Sequence, residues 1–227
     1  MFNADNYRII QIIALLEDEH YSLSGANNRT RHTIWRRGSV FMNHLGTKTI
    51  ETERLILRKF ELSDAGEMYK NWANDDDVTR YITWSTHKNI EETRKVVAEY
   101  VNDSLRDDYY HWCIVLKDSN EAVGSIGAFR LFDDLKLFEI GYSIGKRFWN
   151  KGITSEATKA LIRFFFEEVG VNRIEARHDI KNPASGRVMI KSGLKFEGIL
   201  RQAGKNNTGI TDSAVYAILK EDWDTGQ

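Results

Sequence analysis

The chain has 227 residues, 41% hydrophobic and 29% charged, with a formal net charge of -1. That length supports one sizeable core, and a near-neutral charge offers no general attraction to nucleic acid or to an anionic membrane. A single cysteine, Cys113, excludes an internal disulfide framework and fits a reducing compartment; with no base supplied by any motif it reads as a small core residue rather than a nucleophile.

The apolar run at residues 9–16 is broken by Gln11 and followed at once by Glu17, Asp18 and Glu19. It is too short for a membrane span and lacks a signal-cleavage region, so a cytoplasmic protein is expected. Ile9, Ile12, Ile13 and Leu16 recur at helical spacing, which predicts an amphipathic helix, and residues 22–39 predict a loop. Residues 1–48 carry six Lys/Arg against four Asp/Glu, whereas the rest of the chain has an acidic excess. They are read as an N-terminal extension, with the main domain at 49–227. Two readings of residues 1–41 stand. One is a native helix packed on the domain or on a second subunit. The other is translated leader, because Arg36, Arg37 and Gly38 can be encoded by AGG-AGG-GGN, a purine-rich ribosome-binding sequence upstream of a start at Met42.

Residues 51–60 alternate like a half-buried strand, and Ser63 and Asp64 offer a cap for a helix through Trp72. Asn89 with Glu92 forms a capping box for a helix to about Leu105. Strands are predicted at 110–116, 122–131 and 137–144. From Gly152 the positions Ile153, Ala157, Leu161, Phe164 and Phe165 share one helical face that ends at Gly170. A strand at 173–178, a short helix at 183–192 opened by Pro183, and closing strands at 194–200 and 214–219 complete the chain.

The stretch EIGYSIGKRFWNKGITSEA (139–157) runs from a strand through a glycine turn into a helix. A helix N-terminus presents unpaired N–H groups and a positive dipole end, so it suits a pyrophosphate; Gly152 permits close approach and Lys151 adds charge. This segment resembles the acetyl-CoA-binding motif of the GNAT superfamily, particularly the branch containing the ribosomal-protein-alanine N-acetyltransferases. ERLILR (53–58), NRIEA (172–176), NPASGRV (182–188) and GLKFEG (193–198) agree with that branch in the expected order, covering the chain from about residue 51 to Trp223. The family's pattern places Trp149 at its first position and Thr154 at its last, where a small residue is usual; the Thr154 hydroxyl could itself donate to a phosphate.

The resemblance implies an α+β fold with a twisted mixed sheet whose central strands splay around the pantetheine arm. It also implies an enzyme that moves acetyl from acetyl-CoA to a primary amine, best matched by the α-amino group of a protein. Small amines such as polyamines, amino-acid-like toxins or antibiotics are the alternative acceptors, and an idle acyl-CoA-binding module is the non-enzymatic one. Cofactor contacts fall on Ile140, Tyr142, Arg147, Asn150, Lys151, Gly152, Ile153, Thr154 and Asn182. A backbone N–H near Gly141 or Tyr142 would stabilise the oxyanion, Ser185 would donate to the departing sulfur, and Glu139 would take the amine's proton.

Each has a plainer reading: Asn182 and Ser185 as helix caps, Glu139 as a surface strand carboxylate. His178 is either a second base or a structural histidine. Asp75, Asp76 and Asp77 beside Trp72, Tyr81 and Trp84 form either a wall for a cationic amine or a solvated loop. His87 and His111 stand in no metal-ligand spacing, so no metal is expected. No nucleic-acid or membrane partner is expected, the arginines of 29–37 being weak evidence for one, and the chain is expected as monomer or homodimer.

Overall fold

The computed structural model describes residues 42–226; the helix and loop expected before Met42 lie outside them. Eight strands form one sheet in the order β1-β2-β3-β4-β5-β6-β8-β7. The strands are β1 (Ile50–Glu51), β2 (Leu55–Arg58), β3 (Tyr110–Leu116), β4 (Ala122–Phe132), β5 (Leu137–Ile144), β6 (Arg173–Asp179), β7 (Lys195–Asn206) and β8 (Gly209–Leu219). All neighbours are antiparallel except β5 and β6. A parallel neighbour needs a crossover, and α4 (Ile153–Phe164) supplies it.

Helices α1 (Ala65–Met68), α2 (Asp76–Thr79) and α3 (Ile90–Asp103) precede it, and α5 (Pro183–Lys191) and α6 (Lys220–Thr225) follow. Central β3 is buried on both faces, which explains its continuous apolar run. Trp112 and Ile114 enter one core with Phe138, Ile140 and the Ile153, Ala157 and Leu161 stripe of α4. Cys113 and Val115 enter the opposite core with Met68, Trp72 and Val97.

Several boundaries differ from expectation. The single helix expected at 63–72 is a 3-10 turn at Leu62–Asp64, then α1, then a π turn at Tyr69–Ala73. The π turn buries three consecutive residues, Asn71, Trp72 and Ala73, where one regular helical stripe would bury fewer. The β7–β8 hairpin extends well past the expected strands, to Asn206 and back from Gly209.

Residues 42–48, grouped by composition with the extension, are hydrogen-bonded into the domain. Asn43 N–H donates to the Val169 carbonyl at 3.0 Å, Gly46 N–H to the Asp107 carbonyl at 2.7 Å, and Thr47 is 1% exposed.

Candidate active site

The parallel pairing of β5 with β6 runs from Leu137↔Arg173 to Ile140↔Ala176 and then stops. Beyond it, residues 141–144 remain paired with β4, and 177–179 remain paired with β8. The two strands therefore part while each stays anchored on its outer side. Both present main-chain groups with no cross-strand partner into the wedge. Such an opening suits an extended chain bearing amide groups.

The end of β5 leads into the anion-type turn. Trp149 Nε1 donates to the Ile144 carbonyl at 3.0 Å, Asn150 has φ +60°, and Gly152 has φ +77°. Gly152 is the N-cap of α4, and no side chain caps the helix. A left-handed φ favours glycine there, and the first N–H groups of α4 are left without a side-chain acceptor. Ile153 is buried in the core and Thr154 is 8% exposed within the first turn. Lys151 Nζ stands 5.6 Å over the Phe148 ring. Arg147 is turned onto Glu121 and lies 4.6 Å over the same ring, so its charge is engaged away from the turn.

Across the wedge, Asn182 is the N-cap of α5, yet its side chain makes no cap hydrogen bond. Ser185 does not cap either. Its Oγ is 3.0 Å from the Tyr142 hydroxyl, which also donates to the Ser185 carbonyl at 2.9 Å. Burial pushes the Tyr142 phenol up, and the contact with Ser185 offsets this only in part, so the group stays protonated as a donor. Tyr142 thus ties the parted end of β5 to the first turn of α5 through its side chain. The sequence points to Tyr142 as a cofactor contact and to its backbone N–H as an oxyanion donor, and no local pattern announces a side-chain contact 43 residues away.

Glu139 lies on the opposite face of β5 from Ile140. Its Oε2 accepts from Arg130 Nη1 at 3.4 Å and lies 3.5 Å from Arg177 Nε, while Oε1 has no hydrogen-bond partner among the described residues. The three aspartates have structural partners. Asp75 caps α2, Asp76 accepts from Thr86 Oγ1 at 2.5 Å, and Asp77 pairs with Lys146 at 2.5 Å, which holds its carboxyl below the usual range.

Trp72 is fully buried, a core residue rather than part of a surface wall. His178 Nδ1 donates to the Asp179 carbonyl at 2.8 Å, and its buried Nε2 has no hydrogen-bond partner among the described residues. Burial lowers His111 to about 4, so it is neutral at physiological pH, and Cys113 is a buried thiol pushed far above its ordinary range. Among the described residues no group of His, Cys, Asp and Glu could hold a metal ion. No described helix is long and apolar enough to cross a membrane.

A mixed sheet whose one parallel pair parts midway, next to a glycine turn and an uncapped crossover helix, defines an acyl-CoA-dependent acyltransferase. The chain belongs to the GNAT acetyltransferases: residues 54–195 match the family's acetyltransferase (GNAT) domain. It is 32% identical over 177 residues to the uncharacterized N-acetyltransferase p20 of Bacillus licheniformis, covering 78% of this chain and 98% of that protein. A crystal structure of a GNAT-family acetyltransferase from Bacillus anthracis superposes with a TM-score of 0.68 at 31% identity, over 77% of this chain and 99% of that one. The ribosomal-protein-serine acetyltransferase of Escherichia coli strain K12 is 31% identical over 129 residues, 57% of this chain and 71% of that protein. The chain is therefore an N-acetyltransferase.

Proposed function

We propose that this enzyme transfers the acetyl group of acetyl-CoA to the α-amino group of a protein N-terminus. The observation that carries the reading is the parting of β5 and β6 after Ile140 and Ala176, flanked by the uncapped start of α4 and by the Tyr142–Ser185 contact. Lys151, Gly152 and the first N–H groups of α4, with Asn150, Ile153 and Thr154 around them, fit the pyrophosphate. Ile140, Tyr142 and Asn182 line the pantetheine path. Arg147, paired with Glu121, contributes by shaping the turn through Phe148.

An α-amino group, with a reference pKa of about 8 against about 10.4 for lysine, needs only a weak base. Glu139 can serve, because its free Oε1 can accept through water while Oε2 is held by Arg130 and Arg177. Backbone N–H groups at Gly141–Tyr142 stabilise the developing oxyanion, and the Ser185 hydroxyl donates to the departing sulfur. The acceptor enters over the depression of about 380 Å³ lined by Asp76, Asp77, Thr79, Arg80 and Asn207. The Lys146–Asp77 pair places this depression beside the end of β5. Resemblance to a ribosomal-protein acetyltransferase supports a protein acceptor.

The test is acetyl-CoA consumption against peptides with free N-termini, the same peptides N-blocked but carrying lysine, and small amines. Turnover confined to the free N-termini is expected. Turnover of small amines alone would overturn the acceptor assignment.

A further inference from the structure

Glu156, in the first turn of α4, is turned away from the helix end that an acidic side chain would ordinarily serve. Its Oε1 accepts from Thr52 Oγ1 at 2.6 Å and from the Arg54 N–H at 3.0 Å. Its Oε2 accepts from Arg54 Nε at 2.7 Å, with Nη2 at 2.6 Å. The guanidinium reaches one step further, because Arg54 Nη1 donates to the Lys151 carbonyl at 3.1 Å. A Cβ added to Gly152 would meet Arg54 Nη2 at 3.5 Å. One side chain from the residue just before β2 therefore grips both the carbonyl before Gly152 and the carboxylate after it. Burial alone would raise the Glu156 carboxyl, but the bonds from Thr52 and Arg54 outweigh it and hold it below the usual range.

We infer that Arg54 is a positioning residue for the pyrophosphate, acting through Lys151 and Glu156 rather than by touching the ligand; this rests on reading the Lys151–Gly152 turn as the pyrophosphate site. Two physical effects converge. The turn contains left-handed residues at Asn150 and Gly152, and the bond to the Lys151 carbonyl between them fixes it before ligand arrives. A first-turn carboxylate would repel a bound diphosphate and compete for the helix N–H groups, and Arg54 both neutralises it and holds it aside. Thr52 completes the set of donors to the carboxylate, so Glu156 keeps no incentive to fold back onto the α4 terminus.

The test compares the full chain with Arg54→Ala, Glu156→Gln and the double variant. Coenzyme A binding is measured by calorimetry, kcat/KM is measured with acetyl-CoA and with S-acetylpantetheine, which lacks the pyrophosphate, and melting temperature is followed in parallel. Arg54→Ala should weaken coenzyme A by roughly tenfold or more, because it leaves Glu156 unpaired beside the diphosphate. It should leave kcat/KM for S-acetylpantetheine unchanged. Removing the carboxylate too should restore part of the affinity.

Equal losses with both donors would mark a general fold defect and overturn the inference, as would unchanged coenzyme A affinity in Arg54→Ala. Absence of recovery in the double variant would overturn the charge-cancelling role. Gly152→Val separates the two levels. If it binds coenzyme A normally, the turn is not the pyrophosphate site and both readings fall. If it loses binding while Arg54→Ala does not, only the role of Arg54 falls.

Discussion

Tyr142 has a single hydroxyl proton and two oxygens of Ser185 within reach, at 2.9 Å and 3.0 Å. With that proton on the Ser185 carbonyl, the phenol oxygen can only accept from Ser185 Oγ, which fixes the direction of the serine hydroxyl. For Ser185 to donate to a departing sulfur, its hydroxyl must turn from the phenol onto the sulfur, while the Tyr142 bond to the Ser185 carbonyl keeps the serine in place. Tyr142→Phe removes both bonds while keeping the ring in place. It should lower kcat by about tenfold to a hundredfold with little change in the KM for acetyl-CoA, and Ser185→Ala should do the same or more. Because the two hydroxyls act as a unit, the double variant should be little worse than Ser185→Ala alone. Steady-state kinetics of the three variants decides the matter. Fully additive losses would show that the contact plays no part in catalysis, and loss of stability with normal kcat would return Ser185 to a purely structural role.

Among the elements, the β7–β8 hairpin was the least legible in the sequence. The inner halves, with Leu194, Phe196, Ala214, Tyr216 and Ile218, carry apolar residues that read as strand. The outer half of β7, residues 201–206, is polar and largely solvent-facing, with a register shift between Leu200 and Gly204 and Gln202 at φ +53°. Alternation reports burial, and a solvated ribbon leaves none to read. Its tip is nevertheless pinned. Asn207 Nδ2 donates to the Thr79 and Trp84 carbonyls, each at 2.8 Å, and Asn206 Nδ2 donates to Asp179 at 2.9 Å. The tip thereby holds the segment after α2 against the depression assigned to the acceptor. Asn207→Ala should raise the acceptor KM several-fold, because an unpinned segment must be ordered on binding at about 0.5–1.5 kcal/mol per side chain. Calorimetric affinity for coenzyme A should stay unchanged, and a matching loss there would show that the tip serves the whole fold rather than the acceptor side.

At the scale of the whole molecule, the longer elements were legible because helix and strand periods are local, and the turn around Gly152 could be read for the same reason. The one strand expected at 51–60 is instead split into the paired β1 and β2, and the short α2 and α6 carry too few residues to show a period. What joins them could not. Arg54 and Glu156 are 102 residues apart, and no local spacing reveals that they meet. The start of the domain shows the same limit, since the change in composition near residue 48 does not mark a structural edge. β2 pairs only with residues 113–116 of β3, so Tyr110, His111 and Trp112 lack a β2 neighbour.

Residues 44–48 take that place. Leu45 N–H donates to the Tyr110 hydroxyl at 3.1 Å, Trp112 Nε1 donates to the Lys48 carbonyl at 2.5 Å, and Thr47 does both jobs of a strand partner. Its Oγ1 accepts the His111 N–H at 3.0 Å and donates to the Tyr109 carbonyl at 2.9 Å. Thr47→Val preserves shape but orphans both main-chain groups in a site only 1% exposed, so it should cost about 1–3 kcal/mol of unfolding free energy. Thr47→Ser keeps the hydroxyl and should cost about 1 kcal/mol or less, the methyl alone being lost. Urea unfolding of the full chain and both variants, compared at a common slope, measures this. Since the Thr47 hydroxyl bonds only the main chain of Tyr109 and His111, neither of which borders the wedge, the folded fraction of Thr47→Val should turn over acetyl-CoA normally. Equal stability of the valine and wild-type chains would mean that water satisfies those groups and that the strap is not a structural partner of β3.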